Sequence, residues 1–97
     1  MVTERVELTI AAGRELDFER QFAITGKLIR AAAGCLGIVL SRGVESPSKY
    51  LLLIAWRTVE DHQAFTQTDG MVQFRNLIGP YFAEKPAMEH FSQAVSL

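Results

Sequence analysis

At 97 residues the chain is one domain, 1–97, and a chain this short hides only about 60–65% of its unfolded surface, so its own core is thin. Acids and bases are scattered to a net charge of −1 with no run of Lys or Arg, which excludes the electrostatic footprint of a nucleic-acid partner. Cys35 is the only cysteine and excludes an intrachain disulfide, while 48% apolar residues leave a surplus that a subunit interface would absorb.

Val2 to Ile10 alternates, with Val6, Leu8 and Ile10 on one face and Arg5, Glu7 and Thr9 on the other, the pattern of a half-buried strand. From Arg14 to Ala33 the residues Phe18, Phe22 and Ile29 recur at helical spacing, and Gly34 is placed to end that helix in a left-handed conformation. Cys35 to Val44 reads as a second strand, and Glu45-Ser46-Pro47-Ser48 as a turn. Tyr50 to Trp56 is apolar without alternation, which predicts a third strand covered on both faces. Thr58 with Asp61 three residues on signals a helix start, and that short helix carries Val59, His62 and Phe65 on one stripe. Thr68-Asp69-Gly70 offers a new cap before Met71–Ile78, Gly79-Pro80 ends that segment, and Pro86 to Val95 reads as a final strand.

The order β-α-β-β-α-β predicts an α+β, ferredoxin-like unit with a four-stranded antiparallel sheet. Its first and third strands are central, and its helices cover one sheet face. Two such sheets packed face to face would shelter the other, so the expected partner is a second copy in a two-fold homodimer. The amino terminus, Met1 to Arg5, does not resemble a signal peptide, and the longest apolar run, Tyr50–Trp56, is too short to span a bilayer. The expectation is a cytoplasmic protein without a membrane partner.

Several segments, taken in order, carry a family resemblance. They are Gly34-Cys35-Leu36-Gly37, Ser41-Arg42-Gly43-Val44-Glu45-Ser46-Pro47, Tyr50-Leu51-Leu52-Leu53 with Trp56, and Glu60-Asp61-His62. Phe74-Arg75, Ile78-Gly79-Pro80-Tyr81-Phe82 and Glu89-His90-Phe91 follow them. Together they resemble the antibiotic-biosynthesis monooxygenase domain family over nearly the whole chain. The resemblance implies a dimeric α+β barrel with a pocket between helices and sheet in each subunit. It also implies oxidation of a reduced aromatic or quinol-like small molecule by molecular oxygen, with no metal, flavin or haem cofactor. One branch of that family degrades haem, using an Asn on the first strand and a Trp and a His on the helical side. Here the first-strand position reads Val6, and neither Trp nor His occurs between Phe65 and Ile78.

His62 is the first candidate catalytic residue: an imidazole could remove a phenolic proton near neutral pH, or simply pin its helix to backbone. Arg75 is the second, as a cation for a phenolate or carboxylate, or as a surface ion pair with Glu84 or Asp69. Trp56, Phe65, Phe74 and Tyr81 are candidate walls for a small aromatic substrate and equally candidate core. His90 follows Glu89 on the last strand, so one of the two faces the pocket and the other the expected dimer partner. A metal set built from His62, His90 and Glu89 or Asp61 matches usual ligand geometry poorly, so no metal is expected. A non-catalytic dimeric module that binds a small apolar molecule is the alternative to an enzyme, with haem handling third.

Overall fold

The computed structural model describes residues 1–97. Strand β1 (Val2–Thr9) is followed by helix α1 (Glu15–Arg30), β2 (Cys35–Arg42), β3 (Lys49–Trp56), α2 (Val59–Phe65) and α3 (Asp69–Ile78). A single 3₁₀ turn, Gly79–Tyr81, then leads to β4 (Ala87–Phe91). The sheet order is β2-β3-β1-β4 with every neighbouring pair antiparallel, the ferredoxin-like arrangement expected from the element order. No helix is long and apolar enough to cross a membrane.

Strand parity decides what lies under the helices. Glu4, Val6 and Leu8 of β1 are buried with Tyr50, Leu52, Ile54 and Trp56 of β3. Phe18, Phe22 and Ile29 of α1, Phe65 of α2 and Ile78 of α3 close over them. Trp56 and Phe18 are fully enclosed. The other parity of β3, Leu51, Leu53 and Ala55, is only half-buried because both helical layers sit on the opposite face. Within one subunit the third strand is therefore covered on one side alone.

Three local devices fix the frame. Tyr50 reaches from β3 to α1, donating its hydroxyl to Glu19 Oε2 at 2.6 Å. Burial and that carboxylate push the Tyr50 hydroxyl far above its ordinary pKa of 10.0, so it remains a donor. Thr58 and Thr68 cap α2 and α3 by accepting from the backbone N–H of Asp61 and Met71 at 3.1 and 3.4 Å. Gly34 sits at φ +85°, and a Cβ there would collide with the Asp61 carboxylate, so α2 packs against a position that only glycine fills comfortably.

Four elements are shorter than the sequence pattern suggests: β1 ends at Thr9 instead of Ile10 and β2 at Arg42 instead of Val44, with larger differences in α1 and β4. α1 stops at Arg30 instead of Ala33, because Ala32 N–H bonds to Ile29 O and Cys35 N–H to Ala32 O, tightening the chain into the Gly34 turn. β4 covers Ala87–Phe91 instead of Pro86–Val95. Phe91 is already opposite Thr3, so β1 has almost no backbone left to pair with the residues beyond it.

Candidate active site

A cavity of about 560 Å³ lies between the helices and the inner face of the sheet. Aliphatic and aromatic side chains form most of its wall, including Leu52, Ile54, Trp56, Phe65, Phe74 and Met88. Polar side chains on the wall are few: Glu4, His62, Thr66, Arg75 and Lys85.

Glu4 and His62 belong to one cluster, assembled from four elements. Inward parity buries Glu4 on β1, and β4 pairs so that His90 stands opposite it. Trp56, at the end of β3, donates its indole N–H to Glu4 Oε1 at 2.9 Å. The cap at Thr58 sets the phase of α2 so that His62 and Phe65 face inward. The His62 ring then stacks on Trp56, with centroids 5.2 Å apart and planes 21° from parallel. Its Nε2 is 3.2 Å from Glu4 Oε1, and its Nδ1 is 2.7 Å from His90 Nε2.

Burial lowers the His62 pKa below its ordinary value of 6.5; the Glu4 charge opposes that change and His90 reinforces it. The ring is therefore neutral at pH 7, with one N–H to place. A carboxylate facing Nε2 favours the tautomer protonated there, which leaves Nδ1 to accept from His90 Nε2–H. Glu4 thus orients His62, and His62 orients His90.

The sequence-predicted residues divide as follows. His62, Trp56, Phe65, Phe74 and Arg75 are on the cavity wall. His90 is not, but contacts His62 directly, and of the Glu89–His90 pair it is His90 that faces inward, since Glu89 pairs with the outward Arg5. Tyr81 is also off the wall. The 3₁₀ turn directs its ring toward Phe18, centroids 6.1 Å apart, and the Arg14 guanidinium lies 4.5 Å above it. Arg75 is exposed and makes no ion pair; Glu84 instead accepts from the Thr9 hydroxyl at 2.9 Å. No group of three His, Cys, Asp or Glu side chains is arranged to hold a metal ion. The 2.7 Å between His62 and His90 is hydrogen-bond spacing, shorter than the about 3.3 Å that separates two ligands around tetrahedral zinc.

Glu4 is the site residue that the sequence reading missed. Its signal was present, because Glu4 shares the parity of Val6, Leu8 and Ile10 and is the carboxylate on the apolar face of β1.

The sequence model for antibiotic biosynthesis monooxygenases matches residues 1–77. The chain belongs to that family. It is 34% identical over 92 residues to the uncharacterized protein YczJ of Bacillus subtilis, covering 94% of this chain and 97% of YczJ. Among solved structures it is similar to a Bordetella bronchiseptica protein assigned to the antibiotic biosynthesis monooxygenases, with 35% identity, 97% of each chain covered and a TM-score of 0.92. SnoaB, a cofactor-independent oxygenase from Streptomyces nogalater, shares the fold of this family member at 18% identity and a TM-score of 0.87, over 99% of this chain and 95% of SnoaB.

Proposed function

We propose that the protein is a cytoplasmic, homodimeric, cofactor-independent monooxygenase that oxidises a reduced aromatic or quinol-like small molecule with molecular oxygen. The observation that carries this reading is the asymmetry of the cavity: apolar walls around the buried Glu4–His62 pair, with His90 behind His62. That is the equipment needed when the substrate itself supplies the electrons.

Removing a proton from an electron-rich aromatic raises its reducing power, and the resulting anion passes electrons to oxygen. For a methylene flanked by aromatic rings the balance is R₂CH₂ + O₂ → R₂C=O + H₂O, in which the substrate carbon supplies all four electrons. The protein must take a proton, hold the anion and keep bulk water from the oxygenated intermediate. His62 and its two partners serve the first need, Arg75 and Lys85 place positive charge on the cavity wall for the second, and the aromatic walls serve the third. The half-buried outer parity of β3, with Leu51 and Leu53, is the surface through which two copies would pair.

Oxygen uptake by metal-free protein with anthrone-like and hydroquinone-like compounds tests the reading. Saturable uptake is expected, falling by about 10²–10⁴-fold in His62→Ala, the usual worth of an intact acid–base cluster of which His62 is the centre. Arg75→Ala should lower turnover less. Absence of uptake across the panel, with an aromatic compound still bound, would leave a small-molecule-binding module instead.

A further inference from the structure

The His62 nitrogen free to accept a proton, Nδ1, already meets His90 Nε2 at 2.7 Å, and Nε2 lies 3.2 Å from Glu4 Oε1. The ring can accept a ligand's proton only by surrendering one of those partners. Glu4 is different. Its Oε1 faces Trp56 Nε1 and His62 Nε2, whereas no protein donor reaches its Oε2. Glu4 is only 8% exposed, yet it is a cavity-wall residue, and no polar side-chain atom sealed within the protein lacks a partner. The free oxygen is therefore not sealed in, and it belongs to a residue of the cavity wall. A nine-tenths buried carboxylate with one oxygen held and the other unpartnered is an acceptor site awaiting a donor.

We propose that Glu4, through Oε2, is the group that meets the substrate, and that the cavity selects aromatic molecules carrying a hydroxyl donor. This rests on the oxygenase reading for its chemistry but not for its ligand preference. In the proton transfer the substrate O–H bond breaks, its electron pair stays on the substrate oxygen, and a carboxyl O–H bond forms on Glu4. Trp56 Nε1–H holds Oε1 throughout, with His62 Nε2 beside it at 3.2 Å, fixing the direction in which Oε2 points. His62 and His90 are then positioning residues, and the catalytic contact belongs to β1. An accepting group on the ligand, such as an ether or a carbonyl, would meet a carboxylate lone pair there and be disfavoured.

Calorimetric binding of 1-naphthol and 1-methoxynaphthalene to the full chain tests this without turnover. Wild type should prefer the hydroxyl compound by about 10-fold or more, as expected for a charge-assisted hydrogen bond in a buried site. In Glu4→Gln the amide oxygen keeps the Trp56 bond and an N–H₂ donor faces the cavity, so the preference should vanish or reverse. Urea midpoints and the fluorescence of Trp56 verify that the variant is folded, and Glu4→Asp provides a second carboxylate variant with partial preference expected. Equal binding of the two compounds by wild type, failure of 1-naphthol to bind, or a preference that survives Glu4→Gln would each overturn the proposal. Hydroxyl preference without any oxygen uptake would sink the oxygenase reading and leave the Glu4 contact standing; uptake without preference would do the reverse.

Discussion

Glu4 and Glu7 lie three residues apart on the same strand, on opposite faces of the sheet, and their surroundings could hardly differ more. Glu7 is exposed and pairs with Arg5 at 2.6 Å in open solvent. Glu4 is enclosed, tied to an indole and an imidazole, and opposite a second imidazole across the β1–β4 ladder. The inner face concentrates its few polar groups at one place and leaves the rest apolar. The outer face mixes Thr3, Arg5 and Glu7 of β1 with Leu51, Leu53 and Ala55 of β3, a surface suited to contact with another protein surface more than to chemistry. The lesson is that a carboxylate's role here follows from strand parity. The same side chain is a solvated charge on one face and a site residue on the other.

The contrast can be pressed hardest at Trp56, which is fully buried and holds both Glu4 and His62. Trp56→Ala should cost about 3–5 kcal/mol of stability in urea denaturation, the range for emptying an aromatic site in a core. On the outer face, if two copies pair as proposed, Leu53→Arg should leave the subunit folded but halve the solution mass measured by sedimentation, since the residue is half-buried between Val39 and Arg5 on the face proposed to pair. An unchanged mass would show that no pairing of copies runs through the outer face of β3.

A smaller effect is expected from pH. Because folding lowers the His62 pKa, the unfolded chain takes up its proton more readily than the folded one. The stability associated with a neutral His62 is therefore complete above about pH 6.5 and is lost as pH falls toward the folded value. Melting temperature should drop between about pH 7.5 and 5.5, and His62→Phe, which keeps the stack on Trp56, should flatten that slope. Least of all, Glu7→Gln should change stability by no more than about 0.5 kcal/mol, because exposed ion pairs contribute little. A larger loss would mean that the outer face is more ordered than its solvent exposure implies.

Most of the frame was legible because it rests on short-range signals. The alternation of β1, the caps at Thr58 and Thr68, and the left-handed Gly34 each depend on residues within a few positions of one another. The site was legible only in pieces. His62 stood out by its stripe with Val59 and Phe65, but its partners are 58 residues upstream and 28 downstream. Which of Glu89 and His90 turns inward depends on the register of β4 against β1, which no local pattern fixes. The sequence leaves Tyr81 open between pocket wall and core, because only the backbone of the 3₁₀ turn decides that its ring is aimed at Phe18 and Arg14.

The shortness of β4 has a consequence for motion. It is a five-residue edge strand joined to the sheet along one side only, and its last ladder partner is Thr3, near the end of β1. Such strands fray at a small fraction of the free energy needed to unfold the whole domain. His90 sits next to that fraying end, while Glu4, Trp56 and His62 are anchored in or against the central strands. Amide exchange at Met88–Phe91 should therefore outpace exchange in β3, and each opening would detach one imidazole from the cluster while the rest stays assembled.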